Sequence, residues 1–517
     1  MAGSLFSVTA VAVASLLLLL ATTVCAASHR RILVDTSTSI GPWEGFGVSL
    51  CWWANVFADR ADVIEAAFSL APNVPVLLDR NPNTPNATVS LPGLGLNIAR
   101  YNAGASSFQP LADGAKMVAS PNIPAWKQME AYWVAPTPNG WDWSRDQKQR
   151  HVLESAVTYG VVDTVEVFSN SPVWWQCKND NPSGADDGND GNLKDDAQHA
   201  RYIATVAAFL KHNRSLPVRS VELFNEPSAS WWKASGSQEG CHIGPSQQQR
   251  VLGHLPEAMA AAGFGHGSGV RIAASDESYV DQAVSTWRSF SHTTKALIDQ
   301  VNVHGYEQGG DRQLLYDLVV TQSNKILRDS EYGDGDGTGQ TLLTSIMTDW
   351  QLLHPLGWCY WQVVDVAGGW GMLLGETDDN ATSHGIVLVN TKYFVMAQMT
   401  RHIRPGMHAL VPGDPLNLTI AAMGNGSLAV VVANMMAVSN IDSGRVTIDV
   451  QGPGSMRGRT VNISSWWTNI SSSMPPLAAD DGRYTFRGSL RVANFTGEVE
   501  FLVPAMTLVT VEISAMP

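Results

Sequence analysis

Basic residues are scarce in this chain, and the scarcity excludes a large class of partners. Its 517 residues carry 33 Lys+Arg against 47 Asp+Glu, a formal charge of −14. Nucleic-acid binding needs a basic patch to neutralise phosphates, and none stands out. A neutral polymer stays open as substrate. Charged residues of all kinds reach only 15 %, below the usual ~25 %. Hydrophobic residues make up 44 %, which sets the chain apart from disordered sequences of low hydrophobicity. The length suggests two or three domains.

Other absences narrow the chemistry. There is no Cys-x-x-Cys, so a zinc cluster or thioredoxin-type site lacks support. There is no Gly-x-Ser-x-Gly elbow and no His-Glu-x-x-His, which removes serine-hydrolase and zincin readings. Gly333-Asp334-Gly335-Asp336-Gly337 is glycine-rich like a phosphate loop. Asp334 and Asp336 would repel phosphate, however, so a flexible active-site loop is expected. Asp186-Asp187-Gly188-Asn189-Asp190-Gly191 hints at calcium, but Gly188 and Ala197 fail the EF-hand positions. No metal is expected, and no internal repeat is visible.

Long apolar runs are missing except at the start. Residues 1–26 carry no charged side chain, and an apolar stretch from Val8 to Leu20 precedes the small-residue run Val24-Cys25-Ala26. This pattern reads as a cleaved signal peptide. It is short for a membrane span of roughly 20 residues; an uncleaved anchor is the alternative. The expectation is a secreted protein in an extracellular, cell-wall or apoplast-like space. Cys51, Cys177, Cys241 and Cys359 then remain. Asn-x-Ser/Thr occurs at Asn86, Asn213, Asn380, Asn417, Asn425, Asn462, Asn469 and Asn494, so some glycosylation is expected.

From about 43 to 400, short apolar runs alternate with helical stretches. The strand-like runs are Gly45–Leu50, Leu96–Tyr101, Thr164–Ser169, Arg219–Phe224, Val270–Ser275, Gln300–Tyr306, Ile326–Ser330 and Gly357–Trp361. Helix-like segments include Gln147–Tyr159, Ala197–His212, Ser246–Ala262 and Leu342–Leu353. Eight strands, each followed by helical material, suggest an α/β fold of the parallel (β/α)8 TIM-barrel kind. From 401 to 517 the texture becomes β-branched and punctuated by Gly, Pro, Asn and Asp, which reads as an all-β module. Ile32–Val34, within about 28–42, could add a strand to it.

In such a barrel the strand ends line the active site. Asn225-Glu226-Pro227 follows the fourth strand and Glu331-Tyr332-Gly333 the seventh. Arg100, His304, Tyr306 and Trp361 fall at other strand ends. Two carboxylates then face one cleft. Glycoside hydrolysis needs that pair: one acid protonates the leaving oxygen while the other attacks or stabilises the anomeric carbon. An ionised neighbour raises the pKa of its partner and keeps it protonated. Each glutamate alone would read as an ordinary loop acid; their joint placement points to catalysis. Asp276-Glu277 after strand five reads equally well as loop structure or substrate contact.

Trp43-Glu44-Gly45-Phe46-Gly47-Val48-Ser49-Leu50-Cys51-Trp52-Trp53-Ala54 resembles the opening of glycoside hydrolase family 30, especially its endo-β-1,6-galactanase branch. So do Asn97-Ile98-Ala99-Arg100-Tyr101-Asn102, Ser169-Asn170-Ser171-Pro172-Val173-Trp174-Trp175, Phe224-Asn225-Glu226-Pro227, Asp329-Ser330-Glu331-Tyr332-Gly333-Asp334-Gly335 and Arg401-His402-Ile403-Arg404-Pro405-Gly406. The resemblance implies a barrel joined to a β-sandwich, and a retaining mechanism without a cofactor. It implies Glu226 as acid/base, Glu331 as nucleophile, Asn225 as a ligand of the sugar 2-hydroxyl, and Arg100 and Tyr306 as neighbours of Glu331. His304 joins them as a substrate-binding candidate. The implied partner is a polysaccharide or oligosaccharide, taken by a monomer. β-1,6-Galactan is the expected substrate; β-1,6-glucanase, glucosylceramidase-like and xylanase activities are the rivals, and a non-catalytic sugar-binding protein is a second alternative.

Sugar rings pack their C–H faces on flat aromatics. Trp53, Trp175 and Trp361 are the expected subsite walls, against the alternative that they are core residues. In Trp466-Trp467 core packing is the favoured reading. Cys177 and Cys241, in the loops after strands three and four, are a candidate disulfide; Cys51 and Cys359 read as buried thiols.

Overall fold

The computed structural model describes residues 29–80, 86–265, 267–306, 309–366, 368–436, 444–471 and 483–516. The expected signal peptide, 1–26, lies outside the described residues. Eight parallel strands pair in chain order and close on themselves: Gly45–Ser49, Ile98–Asn102, Thr164–Phe168, Val218–Glu222, Arg271–Glu277, Gln300–His304, Ile326–Tyr332 and Gly357–Tyr360. The first and eighth strands complete the ring from Gly45↔Gly357 to Val48↔Tyr360. Gly47 permits that closure, since a Cβ there would lie 2.6 Å from Ile98 and 2.7 Å from the Cys359 sulfur.

Period-two alternation sorts the strand residues to two faces. Ala99 and Tyr101, Val165 and Val167, Val301 and Val303 join the hydrophobic core under the helices. The alternate positions are polar and buried: Arg100, Glu166, Glu222, Gln300, Asn302 and His304. They meet inside the ring. Gln300 Nε2 and Ser220 Oγ donate to Glu166 Oε2 at 2.9 and 2.8 Å, and Asn302 Nδ2 donates to Glu166 Oε1 at 3.0 Å. A hydrogen-bonded network fills the barrel here, in place of the usual stacked aliphatic layers.

Of the four further sheets among the described residues, two pack face to face. A seven-stranded antiparallel sheet runs Ser39–Pro42, His408–Leu410, Thr419–Gly424, Ser427–Asn434, Thr507–Ala515, Val461–Asn469, Thr485–Val492. A three-stranded sheet places Arg30–Asp35 parallel to Arg445–Gln451, with Glu498–Leu502 on its other side. Ile32, Val34, Val446 and Ile448 of the smaller sheet share one core with Val430, Val432, Val509 and Val511 of the larger. This is a β-sandwich, as the resemblance implies, and Arg30–Asp35 joins strands of the 408–515 segment in it.

The outer face of the larger sheet packs on the barrel. All ten residues of the helix Thr391–Thr400 are buried. Its Tyr393, Met396 and Met399 share a core with Ile420, Val431 and Leu508 of the sheet. Gln398 Nε2 donates to Thr468 Oγ1 at 2.8 Å, and Trp350 Nε1 to the Leu410 carbonyl at 2.7 Å. Among the described residues no helix is long and apolar enough to cross a membrane.

Because one core spans this seam, barrel and sandwich should unfold together. Met399→Ala should cost about 2–5 kcal/mol, the usual range for emptying a buried methionine site, with a single transition by calorimetry. Two separated transitions would contradict the shared core.

Candidate active site

The barrel network ends upward in one buried guanidinium. Arg100 Nε donates to Glu166 Oε1 at 3.1 Å, Nη2 to Asp276 Oδ2 at 2.6 Å and Nη1 to Glu331 Oε2 at 2.7 Å. The Phe168 ring lies 4.1 Å from its central carbon. Charge-assisted bonds of this kind are short and directional. They hold three carboxylates from three strands on one cation.

Glu331 lies on the seventh strand with both oxygens occupied. Oε2 accepts from Arg100, and Oε1 accepts from the Tyr306 hydroxyl at 2.7 Å. Burial pushes its carboxyl up, and Glu226 and Asp276 push the same way against the His304 and Arg100 charges. The hydrogen bonds favour the anion all the same, because both oxygens serve only as acceptors.

Glu226 follows the fourth strand with a left-handed φ of 50°. Its N–H donates to the Asp276 carbonyl at 2.8 Å, and Asp276 is itself left-handed at 60°. Such residues persist only where neighbours hold them. The Glu226 carboxyl Oε1 meets His304 Nδ1 at 3.2 Å, and the same nitrogen lies 3.5 Å from Glu331 Oε1. His304 Nε2 is 3.2 Å from Asp276 Oδ2, an ion-pair distance without the alignment of a hydrogen bond. Burial alone would lower the imidazole pKa. The Glu331 and Asp276 charges outweigh it and raise that pKa well above the usual value. His304 is therefore a cation set between the two glutamates.

Oxygens of Glu226 and Glu331 and a ring nitrogen of His304 all lie within 4.8 Å of one another. A divalent ion needs such spacing too. Here Arg100 and Tyr306 already hold both Glu331 oxygens and His304 Nδ1 faces Glu226 Oε1, so the donor set does not fit a metal.

Above the pair opens a cleft of about 700 Å³. Asn225, Glu226, Tyr306, Glu331 and Trp361 line it, as do Trp52, Lys127, Tyr279, Gln362, Asp365 and Trp370. Asn225, which lines the cleft, has a buried Oδ1 with no donor among the described residues, an acceptor left unsatisfied. The structure thus gathers Arg100, Asn225, Glu226, His304, Tyr306, Glu331 and Trp361 at one place.

Two expected walls are elsewhere. Trp53 is 1 % exposed and donates to the Ser49 carbonyl at 2.8 Å. Its neighbour Trp52, at a left-handed φ of 68°, turns into the cleft instead and meets Trp361 edge-on at 4.9 Å. Trp175 is in the core, bonded to the Trp133 carbonyl at 2.9 Å and edge-on to Trp133 at 4.8 Å. Cys177 and Cys241 are free, buried thiols, so the candidate bridge is not formed. Hydrogen bonds join their loops: Asn181 Nδ2 to the Ala234 carbonyl and Gly240 N to the Pro182 carbonyl, both at 2.9 Å.

The glycine-rich loop after strand seven is pinned. Lys392 Nζ, fully buried, donates to the Asp334 carbonyl at 2.7 Å, Asp334 Oδ1 at 3.0 Å, the Gly369 carbonyl at 3.0 Å and the Tyr360 hydroxyl at 2.9 Å. Sequence reasoning missed this lysine. Its signal was a lone charge directly before the apolar run 393–397. It also missed Trp52, Lys127 and the part Asp276 plays beneath the pair.

This cleft and its paired glutamates place the chain in a known class: residues 29–288 match the O-glycosyl hydrolase family 30 model, and the chain belongs to that family. It is 40 % identical over 423 residues to an endo-β-1,6-galactanase of Hypocrea rufa, covering 80 % of this chain and 83 % of that one. Among solved structures, a conserved exported protein from Bacteroides fragilis superposes with a TM-score of 0.71 at 16 % identity, covering 93 % of this chain and 99 % of that one. The catalytic domain of a family 30 xylanase C from Talaromyces cellulolyticus gives 0.63 at 17 % identity, covering 94 % and 100 %. These two establish the shared fold.

Buried carboxyls set a pH dependence of stability. Burial raises Asp146 and Glu239 to about 8 and Glu277 to about 7. Unfolded, such groups lose their protons near pH ~4, so their contribution is full below that and is lost as pH rises through 7–8. Asp276 acts in the opposite sense. Burial would raise it, but Arg100 and His304 hold it down at about 2; its contribution is present above pH ~4 and lost as pH falls toward 2. The thermal midpoint should therefore peak at mildly acidic pH and fall toward pH ~8, and Glu239→Gln should flatten that fall. A midpoint that rises from pH ~5 to ~8 would contradict these assignments.

Proposed function

We propose that this chain is a retaining endo-β-1,6-galactanase that works by double displacement on Glu331 and Glu226. One observation carries the reading: two carboxylates, one on the seventh strand and one just after the fourth, with oxygens within 4.8 Å and one imidazole between them. That approach fits the ~5–5.5 Å carboxyl spacing of retaining enzymes better than the ~6.5–9.5 Å that leaves room for a water.

The asymmetry of hydrogen bonds assigns the roles. Glu331, fixed by Arg100 and Tyr306, attacks the anomeric carbon. Glu226 gives its proton to the glycosidic oxygen, and the bond to the leaving sugar breaks. The charge on Glu331 disappears in the ester, so Glu226 can then take a proton from water. That water attacks the same carbon, the ester breaks, and the β configuration is restored. Asn225 Oδ1 accepts from the 2-hydroxyl, a bond that tightens in the transition state. No cofactor has a part in these steps.

The galactan assignment rests on the likeness to the Hypocrea rufa galactanase. Secretion as a monomer, with a leader at 1–26 removed, a catalytic barrel over 43–400 and a sandwich formed from 401–517 and about 28–42, completes the proposal. N-glycosylation belongs to it as well. Seven of the eight Asn-x-Ser/Thr asparagines are exposed, Asn462 being half-buried.

Digesting β-1,6-galactan, β-1,6-glucan, xylan and glucosylceramide side by side should show turnover of the first, with NMR recording the β-anomer as first product. A first-formed α-anomer would remove the double displacement. Glu331→Gln should lower kcat by at least about 10³-fold while the fold and sugar binding survive. Glu226→Ala should spare aryl glycosides with good leaving groups far more than galactan, since those need no acid. No turnover of any β-glycan by the wild type would favour a sugar-binding protein.

A further inference from the structure

Trp231, on the loop that follows strand four and also carries Glu226, is a large aromatic left 42 % exposed. Its neighbour Trp232 turns inward, 2 % exposed, and its Nε1 donates to the Glu226 carbonyl at 2.8 Å. The segment is fixed at other points. Ala229 N donates to the Glu226 carbonyl at 3.0 Å, and Ala234 N to the Ala185 carbonyl at 2.6 Å. The Trp231 ring lies 6.0 Å from that of Tyr279, edge to face, and Tyr279 lines the cleft while 37 % exposed. Beyond Tyr279, a residue of the cleft wall, thus stands a second exposed aromatic on a braced loop. Neither is needed to seal a core, and leaving such area in water is unfavourable.

The chemistry gives this wall a direction. Glu226 delivers its proton to the departing oxygen, so the departing part of the chain lies on its side. Tyr279 and Trp231 come from the loops after strands five and four, the Glu226 side. Trp52, Trp361 and Trp370 belong to the loops after strands one and eight, on the far side of the barrel mouth. We propose that Tyr279 and Trp231 form a binding platform for the leaving portion of the polysaccharide, Tyr279 meeting the nearer sugar and Trp231 a later one. The inference rests on the glycosidase reading and adds to it a substrate requirement: a chain extending past the first sugar beyond the scissile bond. The same platform holds an acceptor sugar against the glycosyl-enzyme. An acceptor hydroxyl then attacks the anomeric carbon, its proton passes to the Glu226 carboxylate, and the ester bond breaks to return the Glu331 carboxylate.

The test is Trp231→Ala in the full chain, assayed on β-1,6-galactan and on an aryl glycoside whose leaving group ends at the first position. The loss of kcat/KM on galactan should exceed the loss on the aryl glycoside by about ten-fold, the effect of one lost aromatic contact. With galactobiose added as acceptor, the ratio of transfer to hydrolysis should fall by a similar factor, and Trp231→Phe should recover most of both. Equal losses on the two substrates would make Trp231 a structural residue and overturn the proposal, as would an undiminished rate on galactan. If the wild type prefers another β-glycan, the substrate assignment fails, and the platform stands or falls by the same comparison on that glycan.

Discussion

The structure depends on how one buried cation is satisfied. Arg100 meets Glu166, Asp276 and Glu331, drawn from the third, fifth and seventh barrel strands. Buried ions are tolerable only when paired and hydrogen-bonded, and removing one partner of such a group typically costs about 3–5 kcal/mol. The guanidinium therefore couples strand register to the position of the attacking carboxylate. Asp276 extends the coupling, because its carbonyl holds the Glu226 N–H and its carboxylate faces His304. The separation of the two glutamates is set by the rigid interior, with little left to mobile loops.

That interior also explains the barrel's composition. A ring filled with aliphatic layers could pack well but could not orient ionised groups at its mouth. Here Gln300, Asn302 and Ser220 satisfy Glu166, which in turn steadies Arg100. Polarity within the ring is the support beneath the chemistry. Lys392 does comparable service for the rim, joining the loops after strands seven and eight through four bonds.

All eight barrel strands were legible in the sequence, because each is a short segment with apolar, often β-branched residues at alternate positions. Glu226 and Glu331 were legible because each follows such a run. Short elements were not. Thr419–Gly424 is rich in small residues and gives little β signal, and the hairpin Val74–Leu78 with Ala87–Leu91 is an excursion between the first two barrel strands. Within the tryptophan doublets, local pattern could not decide which ring faces sugar. The left-handed turn at Trp52 decided it against Trp53, and that conformation has no signature in a non-glycine residue. Asp276 was ambiguous for the same reason: its partners lie 176 and 28 positions away, at Arg100 and His304. In each case the missing information was tertiary.

The sandwich takes its first strand from Arg30–Asp35 and its last from Thr507–Ala515. Arg30 is tied to Asp414 and donates to the Ala433 carbonyl at 2.6 Å, so the opening strand is clasped by residues made some four hundred positions later. A chain emerging from the ribosome in order can assemble its barrel while this strand waits unpaired. The smaller sheet cannot close until Arg445–Gln451 and Glu498–Leu502 have been made. The step that closes this sheet thus comes late in synthesis, and a chain lacking either partner strand leaves an open sheet edge for quality control to recognise.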